Sequence, residues 1–414
     1  MGTICYFLYG FMALPGGFIA DKLGYKVVLG AFFIGTPLAA CVVGSANSVF
    51  TLGLGLALLG LFASLYHPSG LSMISHNVRT RGKALGLHGM GGNLGLAFSP
   101  VIAGTIAMRL SWRYSYYLLS LPGFVAGIIF LFSLRTILKS DDGSEADYAN
   151  ININQQNHKL RFAAIFLLYA AMTLNGFCYR GMITMLPTYL GKFEIDTRFV
   201  DNLKAGNITP ELRKTFKDND APISEDATLE TEEKGRKWLI SQGKSKYTVI
   251  NEGNGLNVYG RHAAKGGLFA TMVLLVGMIG QYMGGHFSDK HRKTRLYLLF
   301  NSISLPFMIL IGLLSGYFII VVAALFALFH FANQPVENNL IAQYTSSKLR
   351  SSGYGLKFFL TFGIGSFAAG FSGYVADNFG FNSVFLVLGG VIFLIVLVLI
   401  LLNIYAGEKV GNSQ

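Results

Sequence analysis

Eleven windows of about 20 residues, nearly free of charge, recur along the 414-residue chain: about 2–20, 27–46, 50–74, 84–108, 113–134, 162–190, 265–287, 296–315, 317–344, 353–376 and 382–405. A run of that length crosses roughly 30 Å of hydrocarbon as a helix. Backbone polar groups in hydrocarbon must be satisfied within the protein, so such a chain is confined to a helical bundle. Composition points the same way: 52% hydrophobic and 13% charged residues, with 34 Phe and 50 Gly, are too apolar for an ordinary soluble domain. The first window is too long and too weakly basic at its front for a cleaved signal peptide, and no A-x-A-like site closes it. It belongs to the fold.

A net charge of +12 raises nucleic acid as a partner, and the charge distribution argues against it. If the segment after the first window is cytoplasmic and sides alternate, the cytoplasmic segments hold 17 of the 33 basic residues. That bias is the positive-inside rule. It implies a multi-pass protein of the plasma membrane, a bacterial inner membrane, with its carboxyl terminus in the cytoplasm. The lipid bilayer and not nucleic acid is then the partner. Cys5, Cys41 and Cys178 all lie in apolar windows, which leaves no disulfide framework, zinc spacing or redox pair. Neither a metal nor a cofactor is expected.

The chain repeats itself. GGFIADKLGYK at 16–26 returns, altered, as GGHFSDKHRKTR at 284–295, with Asp21 and Asp289 268 positions apart. Gly86-Leu87-His88 answers Gly355-Leu356-Lys357, Gly104 answers Gly373, and the run from Trp112 answers that from Phe381, all at an offset of 269; Pro68 answers Pro335 at 267. A constant offset through five helices indicates duplication, not chance recurrence of glycines.

Two halves in parallel orientation, each with this motif, resemble the major facilitator superfamily. The first copy is similar to that family's signature between its second and third helices, G-x-x-x-D-R/K-x-G-R/K-R/K, through Gly17, Asp21, Lys22, Gly24 and Lys26, with Tyr25 where a base is usual. The second keeps Gly285, Asp289 and Lys290 but has Arg292 in place of the turn glycine. The resemblance implies an all-α integral membrane protein of two pseudo-symmetric bundles, with 5 + 6 helices present of an expected 6 + 6, because one helix precedes the first motif and two precede the second. It also implies an N-terminal half over 1–134, a cytoplasmic linker over 135–161, a seventh helix over 162–192, an extracytoplasmic insertion over 193–262 and the last five helices over 263–407. The motif aspartates are then expected to face a helix amino terminus or an arginine in the conformation closed to the cytoplasm. Solvated loop acids are the alternative.

The insertion carries 12 of the 21 acids, a stretch KYTVINEGNGLNVYG that reads as two strands about an Asn-Gly turn, and Trp238 as a candidate aromatic anchor. In the family, function lies in a cavity between the halves, lined by helices one, four, seven and ten. The polar residues on the three corresponding spans are His67, Asn175, Tyr179, Arg180, Asn333, Gln334, Glu337 and Asn338, joined by His330 and Asn339. Ionisable groups at membrane depth are costly and face protein or water. His67 and Glu337 are candidate proton carriers, or else structural groups, Glu337 pairing with Arg180 or Lys357; Arg180 is alternatively an anion site. The YHPSG of Tyr66–Gly70 and the glycine-rich helix after it resemble the fosmidomycin-resistance-like branch, with His67 and Pro68 matching and Ser69 and Gly70 departing. The resemblance implies a monomeric secondary transporter of a small organic molecule, with proton-coupled efflux by alternating access. A non-transporting sensor that uses the insertion and an uptake symporter are the alternatives. No H-E-x-x-H, G-x-S-x-G or Walker loop suggests an enzyme or a primary pump.

Overall fold

A computed structural model describes residues 2–406, apart from 140–157 and the short stretches 192, 196, 220–222, 233–236, 243–244, 252–255, 260–262, 315 and 317. The stretch expected as linker therefore lies largely outside the described residues. The first half comprises α1 (Gly2–Phe11), α2 (Ala13–Leu23), α3 (Tyr25–Gly44), α4 (Val49–Ser64), α5 (Tyr66–Asn77), α6 (Arg81–Arg109) and α7 (Trp112–Lys139). After α8 (His158–Leu190) comes a small mixed unit, and then α11 (Ala263–Lys290), α12 (Lys293–Leu313), α13 (Phe318–Tyr344), α14 (Arg350–Phe358), α15 (Phe367–Phe379) and α16 (Phe381–Ala406). Ten helical stretches among the described residues are long and apolar enough to cross a membrane, and an eleventh is formed if α1 and α2, bent by 41°, count as one span.

Local chemistry sets the boundaries. Gly24 joins α2 to α3 at φ 89° and Gly380 joins α15 to α16 at φ 86°, a conformation open to glycine without penalty. In the second motif copy the turn runs through Arg292 at φ −61°, so the absent glycine is not needed there. Ser48 and Thr51 form a capping box at the start of α4. Between α14 and α15 the backbone widens to a π turn over Phe359–Gly363. The α1–α2 bend faces that turn: Tyr9 packs on Phe362 with centroids 5.2 Å apart, Phe11 on Phe359 at 5.7 Å, and a Cβ on Gly10 would lie 2.7 Å from the Gly363 nitrogen.

Two crossed contacts are among those that join the halves. The Asp21 carboxylate accepts the backbone N–H groups of Ser351 (2.9 Å) and Ser352 (2.8 Å) and the Ser352 hydroxyl, at the amino terminus of α14. Asp289 accepts the N–H groups of Gly82 (2.7 Å) and Lys83 (2.9 Å), at the amino terminus of α6. The offset of 269 carries Gly82 onto Ser351 and Lys83 onto Ser352, so the repeat read in sequence reappears in the donors. A carboxylate there meets free N–H groups and the positive end of the helix dipole. Of the partners considered from sequence, the helix terminus is the one seen in contact with both carboxylates. The glycines set the approach: a Cβ on Gly17 would sit 2.5 Å from the Ser351 carbonyl oxygen, and one on Gly285 would overlap that of Gly82. Lys22 and Lys290, beside the aspartates, are exposed.

The insertion is a folded unit with its own core. Its sheet has the order β1-β5-β4-β3-β2, all antiparallel, from β1 (Phe193–Ile195), β2 (Thr228–Glu232), β3 (Lys237–Gln242), β4 (Ser245–Asn251) and β5 (Leu256–Tyr259). Trp238, Ile240, Tyr247, Val249, Leu256 and Val258 alternate inward and meet Leu203 of α9 (Val200–Lys204) and Leu212 and Phe216 of α10 (Pro210–Asp218). The two strands expected about an Asn-Gly turn are β4 and β5, paired Asn251 to Leu256; the turn lies outside the described residues. Trp238, the candidate aromatic anchor, is wholly buried in this core.

Candidate functional site

A cavity of about 420 Å³ lies between the two halves. All eight residues proposed from sequence line it: His67 from α5, Asn175, Tyr179 and Arg180 from α8, and Asn333, Gln334, Glu337 and Asn338 from α13. His330 lines it as well, whereas Asn339 is buried outside it, donating to the Ser288 hydroxyl at 3.1 Å. The spacing explains the convergence, because 330, 333, 334, 337 and 338 recur at helical intervals on one face of α13.

Glu337 is the centre of a buried polar network. Its Oε1 accepts from the Tyr297 hydroxyl at 2.7 Å and from Asn175 Nδ2 at 3.0 Å, and its Oε2 lies 2.8 Å from Lys357 Nζ. Lys357 also donates to Asn338 Oδ1 at 2.7 Å. The Glu337 and Lys357 side chains are only 5% and 6% exposed. Between the two partners open from sequence, Lys357 is the one in contact. A pair this buried is held by its hydrogen bonds as much as by its charges, and losing either partner strands the other. Its neighbours are also fixed: Asn301 Nδ2 donates to Asn333 Oδ1 at 3.1 Å, and Gln281 Nε2 to Gln334 Oε1 at 2.8 Å.

Arg180 stands apart from this network. Its guanidinium lies over the Tyr6 ring, 4.6 Å from the centroid, and among the described residues no carboxylate pairs with it. The opposite wall belongs to the first half and is made of rings. His67 stacks on Phe358 at 4.2 Å, and Tyr66 on His88 at 5.5 Å with a hydroxyl contact to His88 Nδ1 at 3.4 Å. Four side chains that line the cavity each carry a buried polar atom without a partner: His67 Nδ1, Asn93 Nδ2, Asn175 Oδ1 and His330 Nδ1. Among the described residues no group of three His, Cys, Asp or Glu side chains is placed to hold a metal.

Sequence reading missed Tyr6, Tyr9, Tyr66, His88, Asn93 and Gln281, all on the cavity wall, and Tyr297 just behind it. For His88 a signal existed, since the repeat pairs it with Lys357.

Comparison with known proteins fits this geometry. The pattern of the Major Facilitator Superfamily matches residues 1–206 and 257–413, so most of the insertion falls outside it. The chain belongs to the major facilitator superfamily, a family of transporters and not of enzymes. Among curated relatives it is similar to the uncharacterized MFS-type transporter YuxJ of Bacillus subtilis, at 32% identity over 31% of this chain and 33% of that one. It is also similar to the puromycin resistance protein pur8 of Streptomyces alboniger (32%; 26% and 22%) and to human sialin (26%; 44% and 41%). The chain thus spans between about a fifth and two fifths of the length of these relatives. Solved structures share the fold over 96% of the chain. They include the E. coli fucose:proton symporter FucP (TM-score 0.59, 13% identity, 89% of that chain) and the human organic anion transporter MFSD10 (TM-score 0.62, 11% identity, 82% of that chain).

Proposed function

We propose that this chain is a secondary transporter that moves a small organic molecule by alternating access, in exchange for protons, and works as an export carrier and a monomer. The observation that carries the reading is Glu337, a carboxylate buried in the cavity between the halves and paired to Lys357 at 2.8 Å. A proton on Glu337 removes the charge that holds Lys357, and deprotonation restores the pair. A cavity whose internal bonding changes with one proton couples proton binding to ligand binding. The two aspartate contacts supply the other requirement, a breakable closure at one end. With the positive-inside bias, that end is the cytoplasmic face and the arrangement is one closed to the cytoplasm, in a bacterial inner membrane with the carboxyl terminus inside. Export is favoured by relatives named for resistance to puromycin and methylenomycin A, because removing a drug from the cell is the direct way for a carrier to confer resistance. His67, Pro68 and the glycine-rich α6 support placement near the fosmidomycin-resistance-like branch.

The test is transport by the full chain in proteoliposomes. Candidate drugs are carried against an imposed proton gradient, and Glu337→Gln is compared with the parent in gradient-driven movement and in substrate exchange at equal pH. The expected result is loss of gradient-driven movement, at least tenfold, with exchange retained. Equal loss of both would remove Glu337 from the coupling.

A further inference from the structure

We propose that the cavity selects a monoanion with a flat, unsaturated body, its negative group seated at Arg180 and its body lying along the aromatic wall of the first half. This reading rests on the cavity being the transport site, and it deepens that assignment. Charge is the first argument. Three formally charged side chains line the cavity: Glu337 and Lys357 neutralise one another at 2.8 Å, which leaves the charge of Arg180 uncompensated by any described carboxylate. The ring of Tyr6 under the guanidinium offers only partial compensation and occupies one face of it. An unneutralised cation at membrane depth is costly, and a carboxylate or similar group on a ligand matches its forked donors.

Shape is the second argument, and it is independent of the first. All three charges sit on α8, α13 and α14 of the second half, whereas the first half contributes Tyr6, Tyr9, Tyr66, His67 and His88, with Phe358 stacked on His67. A ligand with its charge at one pole and a ring at the other matches that division; a compact polar anion leaves the ring wall bare. The unpartnered atoms are the third argument. Asn93 Nδ2 can only donate and Asn175 Oδ1 only accept, and both side chains are at least nine-tenths buried. Once these amides turn toward the cavity, a ligand whose body carries a hydroxyl or carbonyl satisfies them.

The experiment uses binding and not transport, so its failure leaves proton coupling untouched, just as failed coupling would leave this intact. Cys5 lines the cavity beside Tyr6 and is partly exposed, so its alkylation by N-ethylmaleimide, followed by mass spectrometry on the detergent-solubilised full chain, reports occupancy. The probes are 6-hydroxy-2-naphthoate, the matching naphthylmethanol, the matching naphthylmethylamine, and acetate. We expect the naphthoate to protect Cys5 at concentrations at least tenfold below those needed for the other three. Arg180→Gln should erase the difference and Arg180→Lys should keep part of it, with thermal unfolding of each variant confirming that it is folded. Equal protection by the alcohol or the amine, or naphthoate protection unchanged in folded Arg180→Gln, would overturn the assignment. Acetate as effective as naphthoate would overturn the flat body.

Discussion

The closure between the halves and the cavity between them are built from the same duplicated sequence, yet one is symmetric and the other is not. At the closure, each half offers an aspartate to the amino terminus of a helix in the other, and the donors correspond residue for residue, Gly82 with Ser351 and Lys83 with Ser352. In the cavity the repeat places His88 opposite Lys357, and at the offset of the proline pair it places Gly70 opposite Glu337. Closing is the same task for both halves, so the same contact serves twice. The ligand proposed for the cavity has no such symmetry, and the cavity surface has diverged.

The largest effects should come from the glycines that let the halves touch. A side chain at Gly285 overlaps the Gly82 carbonyl, and one at Gly17 overlaps that of Ser351, backbone atoms that cannot swing aside. Gly285→Val and Gly17→Val should each prevent closure and cut transport by more than tenfold. Spin labels on the exposed Lys83 and Lys348, one per half, should report a longer distance in both variants. An unchanged distance would show that the glycines do not set the approach.

Next in size is the buried pair. Glu337→Gln or Lys357→Met alone should destabilise the detergent-solubilised protein by about 3–5 kcal/mol, because each strands a buried group, while the double variant should recover most of the loss. Thermal unfolding of the four proteins closes the cycle. Simple additivity would mean that the 2.8 Å contact carries no coupling and would blur the contrast with the closure.

The two closures should also differ slightly from one another. Asp21 accepts a hydroxyl from Ser352 that Asp289, facing the Lys83 backbone, does not have. Each Asp→Asn change should weaken closure by about 1–3 kcal/mol, with Asp21→Asn the larger by about 0.5–1.5 kcal/mol. Ser352→Ala should bring the two together. Identical populations of the open form in both variants without that change would place the hydroxyl outside the closure.

The closure was legible because repetition makes a weak motif strong: the second Gly-x-x-x-Asp at a fixed offset turned a common pattern into a constraint. The spans were legible because hydrocarbon leaves a chain few options. The bend between α1 and α2 was legible only in part: Pro15 lacks the N–H that would bond the Phe11 carbonyl, a local mark of a kink, but the π turn it faces lies some 350 residues away. Polar side chains on apolar spans pointed to Glu337, Arg180 and Asn175, but Tyr297, Tyr9 and Tyr66 carry no such mark. A tyrosine in a membrane helix shows its hydroxyl chemistry only when its partner is known. Trp238 stood out as an aromatic anchor, but the alternation that buries it with Ile240 is masked by Leu239 on the other face of the strand.

The smallest effect is expected where the repeat is interrupted. The insertion closes its own core around Phe199, Phe216, Trp238 and Tyr247, so its stability is largely independent of the bundle. A described link to the helices is an ion pair of Lys237 with Asp377 at the end of α15, 3.5 Å long and with the Asp377 side chain 62% exposed. Exposed pairs of this kind contribute about 0–1 kcal/mol. Replacing 196–260 with a short Gly/Ser linker should therefore leave membrane insertion and the unfolding temperature of the bundle nearly unchanged, because closing a flexible loop between two fixed helix ends costs little more for many residues than for few. Transport should persist as well, since both aspartate contacts and the cavity lie wholly in the parts that remain. Loss of insertion would place the unit within the core of the fold. Intact insertion with transport abolished would move control of the cycle into the insertion, and would favour the sensor reading over a carrier with an appended domain.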